Sequence, residues 1–197
     1  MKTMKTIYTY KGLSKQDRST EIDDETALWL MRMCVGEGGG SCTAIKASTM
    51  LWALLNRWML HPWRRNWPTF QGMVRAFSQP INPRWQKGGN LAKKNKNKPS
   101  ATPARLRRRA WICELKKSQI NSDVLIAAEN LQSGVLEPEY FFEKIDHKRI
   151  SNWASYNGVR KKYPHGVNVD GDWFFEDLSP KLIKGHVVVD HWAEDDK

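Results

Sequence analysis

The sequence is poor in the features that mark membrane, secreted and disulfide-stabilised proteins. No uninterrupted apolar run reaches the ~20 residues of a membrane-spanning helix. The lysines near the N-terminus are followed by neither an apolar core nor a small-residue cleavage site. The three cysteines, Cys34, Cys42 and Cys113, lack the paired spacing of a zinc site. We therefore expect no membrane span, no secretory signal and no disulfide, with free thiols formed in a reducing compartment.

No internal repeat is visible either, so the chain is not expected to be a solenoid or a propeller. Hydrophobic residues make up 40% of the 197 residues and include ten tryptophans, which excludes a wholly disordered chain. The polar start of the chain predicts a flexible arm over residues 1–20. The remaining residues, 21–197, are expected to form a single domain.

Positive charge is abundant but is concentrated in one segment. Residues 84–117 contain twelve lysines and arginines and one acid, Glu114, so this segment accounts for the whole net charge of +11. Its turn-rich part, an insertion at about 87–109, predicts a mobile loop or linker that leads into a helix. The segment is either a solvated surface or a contact for an anionic partner. An anionic envelope polymer suits it as well as nucleic acid does, and no nucleic-acid recognition motif supports the latter.

The apolar periodicity predicts a mainly helical chain. A first helix begins at Asp23 or Asp24 and stops at Gly36, and a second, buried helix follows the glycines and ends before Pro62. A short third helix contains "TFQGMVRAF" with Pro68 at its first position, and the helical pattern resumes from Ala104 to Gly134.

The last sixty residues change character. Short aromatic and β-branched runs, "YFFEKI", "DWFFED" and "HVVVDHW", predict short strands separated by turns. The fold class is therefore mainly α, of the α+β kind, with a small β element toward the C-terminus.

A lone acid, Glu37, stands in "MCVGEGGGSC" between an apolar run and three glycines. The end of a helix dipole favours the neutral form of a carboxyl group there, as a general acid requires. The glycines would let a bulky polymer approach it. The alternative is an exposed acid in a glycine helix cap.

The remaining polar clusters give weaker signals for a metal or nucleophile. His186 and His191 face opposite sides of a strand, so with Asp190 they make a poor zinc site. "NVDGD" has part of a calcium loop but predicts a hairpin turn instead. A cysteine nucleophile has no local signature here. We expect no metal and no cofactor.

The stretch "VGEGGGSCTAIKASTMLWALLNRW", followed by "WPTFQGMVRAFSQPINPRW", resembles the SleB-type cell-wall hydrolases, a family of spore-cortex-lytic enzymes with phage members. Glu37 stands where that family has its catalytic acid. Asn56-Arg57, Trp67-Pro68-Thr69 and Phe77-Ser78 match its later elements, and the resemblance extends over about 24–177. Ser41 stands where the family often has a second Glu, and Trp173-Phe174-Phe175 replaces its His-x-Phe-Tyr ending.

The resemblance implies a lysozyme-like fold that cleaves the β-1,4 bond between N-acetylmuramic acid and N-acetylglucosamine. Glu37 would act alone, as acid and then base, in a lytic transglycosylase. Candidate substrate-binding residues are the polar residues of the matched elements and tryptophans that offer flat faces to sugars: Ser78, Gln79, Asn56, Trp85, Trp153 and Trp173. The alternative for these residues is a loop or core position.

Three other functions remain open at this stage. A hydrolytic muramidase needs a second carboxylate, which no motif marks. A metal-dependent amidase or endopeptidase would act on the same wall, and a non-catalytic virion or nucleic-acid-binding protein would use segment 84–117. Without a secretory signal, we expect an enzyme made in the host cytoplasm that reaches peptidoglycan glycan strands as a phage endolysin at lysis or within a phage particle.

Overall fold

The structure, a computed structural model, describes residues 4–11, 19–60, 67–82, 103–135, 150–155, 159–176 and 186–193. This part of the chain is mainly helical with two small antiparallel sheets, so the predicted α+β class is confirmed. The helices are α1 Asp24–Gly38, α2 Ala44–Leu60, α3 Phe70–Phe77, α4 Pro103–Glu114 and α5 Ser122–Ser133. The strands are β1 Met4–Lys11, β2 Ser19–Glu21, β3 Asn152–Ser155, β4 Gly166–Val169, β5 Asp172–Phe175 and β6 His186–Ala193.

Helix α2 is the centre of the core, as its apolar sequence predicts. Every residue from Thr49 to Met59 is buried, because α1, α3, α5 and strands of both sheets contact this helix from different sides. A helix that is apolar around most of its circumference is stable only in such a buried position. The other helices and the strands that contact α2 are thereby held in fixed positions around it.

Helix α1 begins where the sequence predicts but ends later. The Asp23 side chain caps it by accepting a hydrogen bond of 2.7 Å from the Thr26 amide. The predicted stop at Gly36 is wrong, since the helix continues to Gly38 and is terminated by Gly39, whose φ is 73°. That positive φ is a conformation that glycine adopts without steric cost.

Helix α3 is confirmed, with Thr69 as its cap: the Thr69 hydroxyl accepts from the Gly72 amide at 3.0 Å. Pro68 therefore lies outside the helix rather than at its first position. Helix α3 ends at Phe77, and a short 3-10 turn, Gln79–Ile81, follows Ser78.

Helices α4 and α5 confirm the predicted helical segment, which is interrupted by a 3-10 turn at Lys117–Gln119. Arg32 of α1 fixes the end of α4, because its guanidinium donates twice to the Leu115 carbonyl at 3.0 and 2.9 Å. Helix α4 therefore packs against α1 and against the 3-10 turn after α3.

The sheet β3-β5-β4 contains the predicted turn. Asp170 and Gly171 connect β4 to β5 with φ values of 47° and 83°, the signature of a two-residue type I′ hairpin. The hairpin interpretation of "NVDGD" is thus confirmed. The Thr43 hydroxyl donates to the Asp170 carboxylate, and Lys46 forms an ion pair of 2.8 Å with Asp172, so the hairpin is fastened to the start of α2.

The second sheet has the order β2-β1-β6 and corrects one expectation. Residues 4–11, predicted to belong to a flexible arm, form its central strand, paired with Ser19–Glu21 on one side and His186–Ala193 on the other. Alternating aromatic and β-branched residues in "TIYTY" favour this strand. The strand predicted in "HVVVDHW" is confirmed as β6, whereas "YFFEKI" and most of the basic insertion lie outside the described residues. Among the described helices, none has both the length and the apolar character needed to cross a membrane.

Candidate functional site

Glu37 lies in the last turn of α1 and is half-buried. Its Oε1 accepts a hydrogen bond of 2.8 Å from the hydroxyl of Ser78, the residue that terminates α3. Ser78 has no exposed surface, and its backbone is fixed in turn by a bond from its amide to the Val74 carbonyl. The two residues, 41 positions apart in the chain, therefore form one rigidly supported pair.

A close contact between Gly36 and Pro80 brings these two segments together. A Cβ atom at position 36 would stand 2.5 Å from the Pro80 Cβ, well inside van der Waals contact. Position 38 is equally restricted, because a Cβ there would stand 2.5 Å from the Cys42 sulfur. Gly36 and Gly38 therefore allow the protein's own segments to approach one another. At Gly39 and Gly40, by contrast, an added Cβ would meet no described atom within 4 Å.

An open cleft of about 190 Å³ lies beside this pair. The end of α1, the turn after α3 and one face of α4 line it, and we call the α4 side its arginine wall. The lining residues are Gly36, Glu37, Pro80, Arg105, Arg108, Arg109 and Ile112. Sequence reasoning missed this wall, because it treated the basic segment as separate from the candidate acid.

The arginine wall is partly desolvated. Arg109 is only 9% exposed, and burial lowers its pKa, with a further lowering from the positive charge of Arg105. The repulsion shows that the two guanidiniums are close enough to influence each other. The arrangement concentrates positive charge next to the Glu37 carboxyl group.

Asn56 and Arg57 act inside the core rather than in the cleft. Asn56 is fully buried and donates to the Ile150 carbonyl at 2.8 Å, while the Arg57 Nε donates to the Ser151 carbonyl at the same distance. The pair ties α2 to the segment that enters β3. A side chain without exposed surface cannot contact a glycan in this conformation, which corrects the expectation that Asn56 binds substrate.

Two of the candidate tryptophans belong to an aromatic layer against the core. Trp173 is 8% exposed, and its indole N–H donates to the Tyr163 carbonyl at 2.7 Å, so its faces are used in packing. Trp153 is half-buried between Phe77 and Phe174, with ring centroids 5.4 and 6.0 Å apart. Trp85 lies outside the described residues. Gln79 follows Ser78 in the 3-10 turn, and its side chain is not described.

Two of the three cysteines, Cys34 and Cys42, do not supply a nucleophile at this site. Cys34 and Cys42 are buried; burial raises the pKa of Cys34 well above its usual value and that of Cys42 to about 11. Both therefore remain neutral thiols at physiological pH. Within the described ranges, no group of three or more His, Cys, Asp or Glu side chains is arranged to hold a metal ion.

The cleft has one carboxylate among its described lining residues, namely Glu37. Ser41, at the position where the SleB resemblance leads one to look for a second Glu, is exposed in the 3-10 turn that follows α1. Asp170 and Asp172 contact Thr43 and Lys46 at the other end of the Gly39–Ser41 turn. The site therefore offers one proton-transfer group beside a basic wall.

Comparison with protein-family models, with curated proteins and with solved structures finds no match for this chain.

Proposed function

We propose that the protein is a lytic transglycosylase of the bacterial cell wall, with Glu37 as its single catalytic residue. The carrying observation is the hydrogen bond from Ser78 to Glu37 at the edge of an open cleft. A half-buried carboxyl group at a helix end, fixed by a buried hydroxyl, has the fixed orientation that proton transfer to a bound substrate needs. The resemblance to SleB-type hydrolases, with its lysozyme-like fold, supplies the substrate: the β-1,4 bond of peptidoglycan.

In the proposed reaction, the Glu37 carboxylic acid donates its proton to the glycosidic oxygen as the bond to the muramoyl C1 breaks. The resulting carboxylate then accepts the proton of the muramoyl 6-hydroxyl, whose oxygen forms the new bond to C1. The products are a 1,6-anhydromuramoyl end and a free N-acetylglucosamine 4-hydroxyl. No water is consumed, and the proton returned to Glu37 restores the acid for the next cycle.

One carboxyl group must therefore serve in both protonation states. The hydroxyl of Ser78 holds the Glu37 Oε1 in one orientation for both proton transfers, in a cleft that is also lined by the arginines of α4. Ser78 is a positioning residue in this mechanism, not a catalytic one.

The hydrolytic alternative is less well supported. A muramidase uses a second carboxylate at ~5 to ~9.5 Å from the first, and the described lining of the cleft has no other acid. Metal-dependent cleavage and simple nucleic-acid binding have no comparable support in the described residues. We propose that the enzyme reaches the wall as a phage lysin, either at host lysis or within the particle.

The test is digestion of purified peptidoglycan by the wild type and by Glu37→Gln, with mass analysis of the muropeptides. We expect anhydromuramoyl ends from the wild type and a loss of at least about 10³-fold in Glu37→Gln, because acid and base functions each contribute ~10²- to ~10⁴-fold. Glu25→Gln is the matched control, since it makes the same change in the first turn of the same helix. Equal activity of wild type and Glu37→Gln refutes the mechanism, and hydrated reducing ends in place of anhydro ends indicate a muramidase.

A further inference from the structure

The described lining of the cleft carries more positive than negative charge. It contains three arginines and one glutamate, so its charged side chains sum to a positive value. Arg105 and Arg109 are four residues apart, as are Arg108 and Ile112, so these four residues share one face of α4. That face points to the cleft, because all four of them line it.

Packing alone does not account for this face. Ile112, 1% exposed, is the apolar anchor of α4 against the core, and an apolar residue one turn earlier would extend that anchor. Arg109 is there instead, at 9% exposure, and it retains its charge at a cost in desolvation and in repulsion from Arg105. Guanidiniums held together in this way are suited to a planar anion, which they bind through paired N–H donors.

We propose that Arg105, Arg108 and Arg109 bind a carboxylate carried by the muramoyl unit that Glu37 cleaves. This inference rests on the proposed function for its substrate. The muramoyl sugar bears its lactyl ether on C3, two bonds from the reacting C1, so its carboxylates enter the same cleft as the scissile bond. They come from one of two sources: the acidic residues of an attached peptide stem, or the lactyl group itself once the stem is removed.

The variants for the test follow from the exposure of each arginine. Arg105→Gln and Arg108→Gln change exposed cleft residues with little risk to folding, whereas Arg109 is buried. Arg107→Gln is the matched control, because it removes the same charge from an exposed position of α4 that does not line the cleft. Cleavage is measured on soluble glycan tetrasaccharides in three forms: with native stems, with the stem carboxylates converted to amides, and with the stems removed.

For the wild type and Arg107→Gln we expect equal KM values on the native substrate, within about two-fold. On the substrate that carries the bound anion, Arg105→Gln and Arg108→Gln should each raise KM by about five- to ten-fold with kcat nearly unchanged, as for loss of a partly solvated charge-assisted hydrogen bond. If the stem carboxylates are the anion, this rise is seen with native stems, and amidation should raise the wild-type KM to that of the variants. If the lactyl group is the anion, the rise is seen only on the stripped glycan, because an attached stem holds the lactyl carboxyl in an amide bond.

Calorimetric binding of the native and the stripped tetrasaccharide to Glu37→Gln, with and without Arg108→Gln, separates this inference from the proposed function. Arginine-dependent binding of either one without wild-type cleavage supports the anion site and refutes the transglycosylase. Cleavage with equal KM values for Arg105→Gln, Arg108→Gln and the wild type on all three substrates refutes the anion site alone. An equal rise in KM for Arg107→Gln also overturns it, because that result indicates a non-specific attraction of the whole basic helix for a polyanion.

Discussion

Replacement of Ser78 by alanine tests whether the contact with Glu37 is what makes the carboxyl group catalytic. The substitution removes a hydroxyl that donates to Glu37 Oε1 at 2.8 Å and keeps the amide that donates to the Val74 carbonyl at the end of α3. A hydrogen bond to a charged group contributes ~1.5 to ~3 kcal/mol, and 1.4 kcal/mol is a factor of ten in rate. We therefore expect kcat to fall by about ten- to a hundred-fold while KM changes little.

Stability should respond less than activity does. Glu37 is half-buried, so water replaces the lost donor, and we expect Ser78→Ala to lower the free energy of unfolding by about 1 kcal/mol. The kcat and KM for release of anhydromuropeptides are measured at neutral pH, alongside thermal unfolding, with Ser133→Ala as an exposed control. An unchanged kcat refutes the positioning role, as does a loss of kcat that only follows the loss of folded protein.

Two further predictions concern the surroundings of this pair. Gly36→Ala should lower the free energy of unfolding by about 1 to 2 kcal/mol, because overpacking against Pro80 costs ~1 to ~3 kcal/mol and exceeds the helix-propensity gain of ~0.5 to ~1 kcal/mol. Gly40→Ala, which meets nothing within 4 Å, is the control in chemical denaturation, and equal midpoints for the two variants would exclude the close contact. In the native protein, Cys34 and Cys42 should resist a thiol reagent up to pH 9, because burial keeps both thiols protonated, and both should react on unfolding. Rapid reaction of either thiol in native protein would contradict the burial.

The sequence predicts those elements that local patterns determine. Helices α1, α2, α3 and α5 follow from apolar periodicity, helped in α1 by the cap at Asp23, and the Asp170-Gly171 hairpin follows from turn chemistry. The sequence places the end of α1 at Gly36, which is too early. A glycine that permits close contact with Pro80 cannot be distinguished in sequence from a glycine that ends a helix.

The candidate site depends on contacts that no local pattern encodes. The motif identifies Glu37 in the sequence. Its hydrogen bond with Ser78 spans 41 residues, and the sequence predicts that Ser78 contacts the substrate instead. Arg109 was assigned to a separate basic insertion, since only the packing of α4 on α1 and the turn after α3 brings it beside Glu37. Strand β1 was missed for the same reason, because its partner β6 lies near the other end of the sequence.

The pairing of β1 with β6 also sets an order of events during synthesis. Met4 pairs with Ala193 and Lys11 with His186, so the ribosome must add more than 170 residues between one strand and its partner. At ~5 to ~20 residues per second, the edge of β1 that pairs with β6 stays uncovered for about 10 to 40 seconds. Its hairpin-like pairing with Ser19–Glu21 is available from the start and occupies one edge in the meantime. The sheet β2-β1-β6 is therefore completed only when β6 emerges, after the helices around α2 have had time to fold.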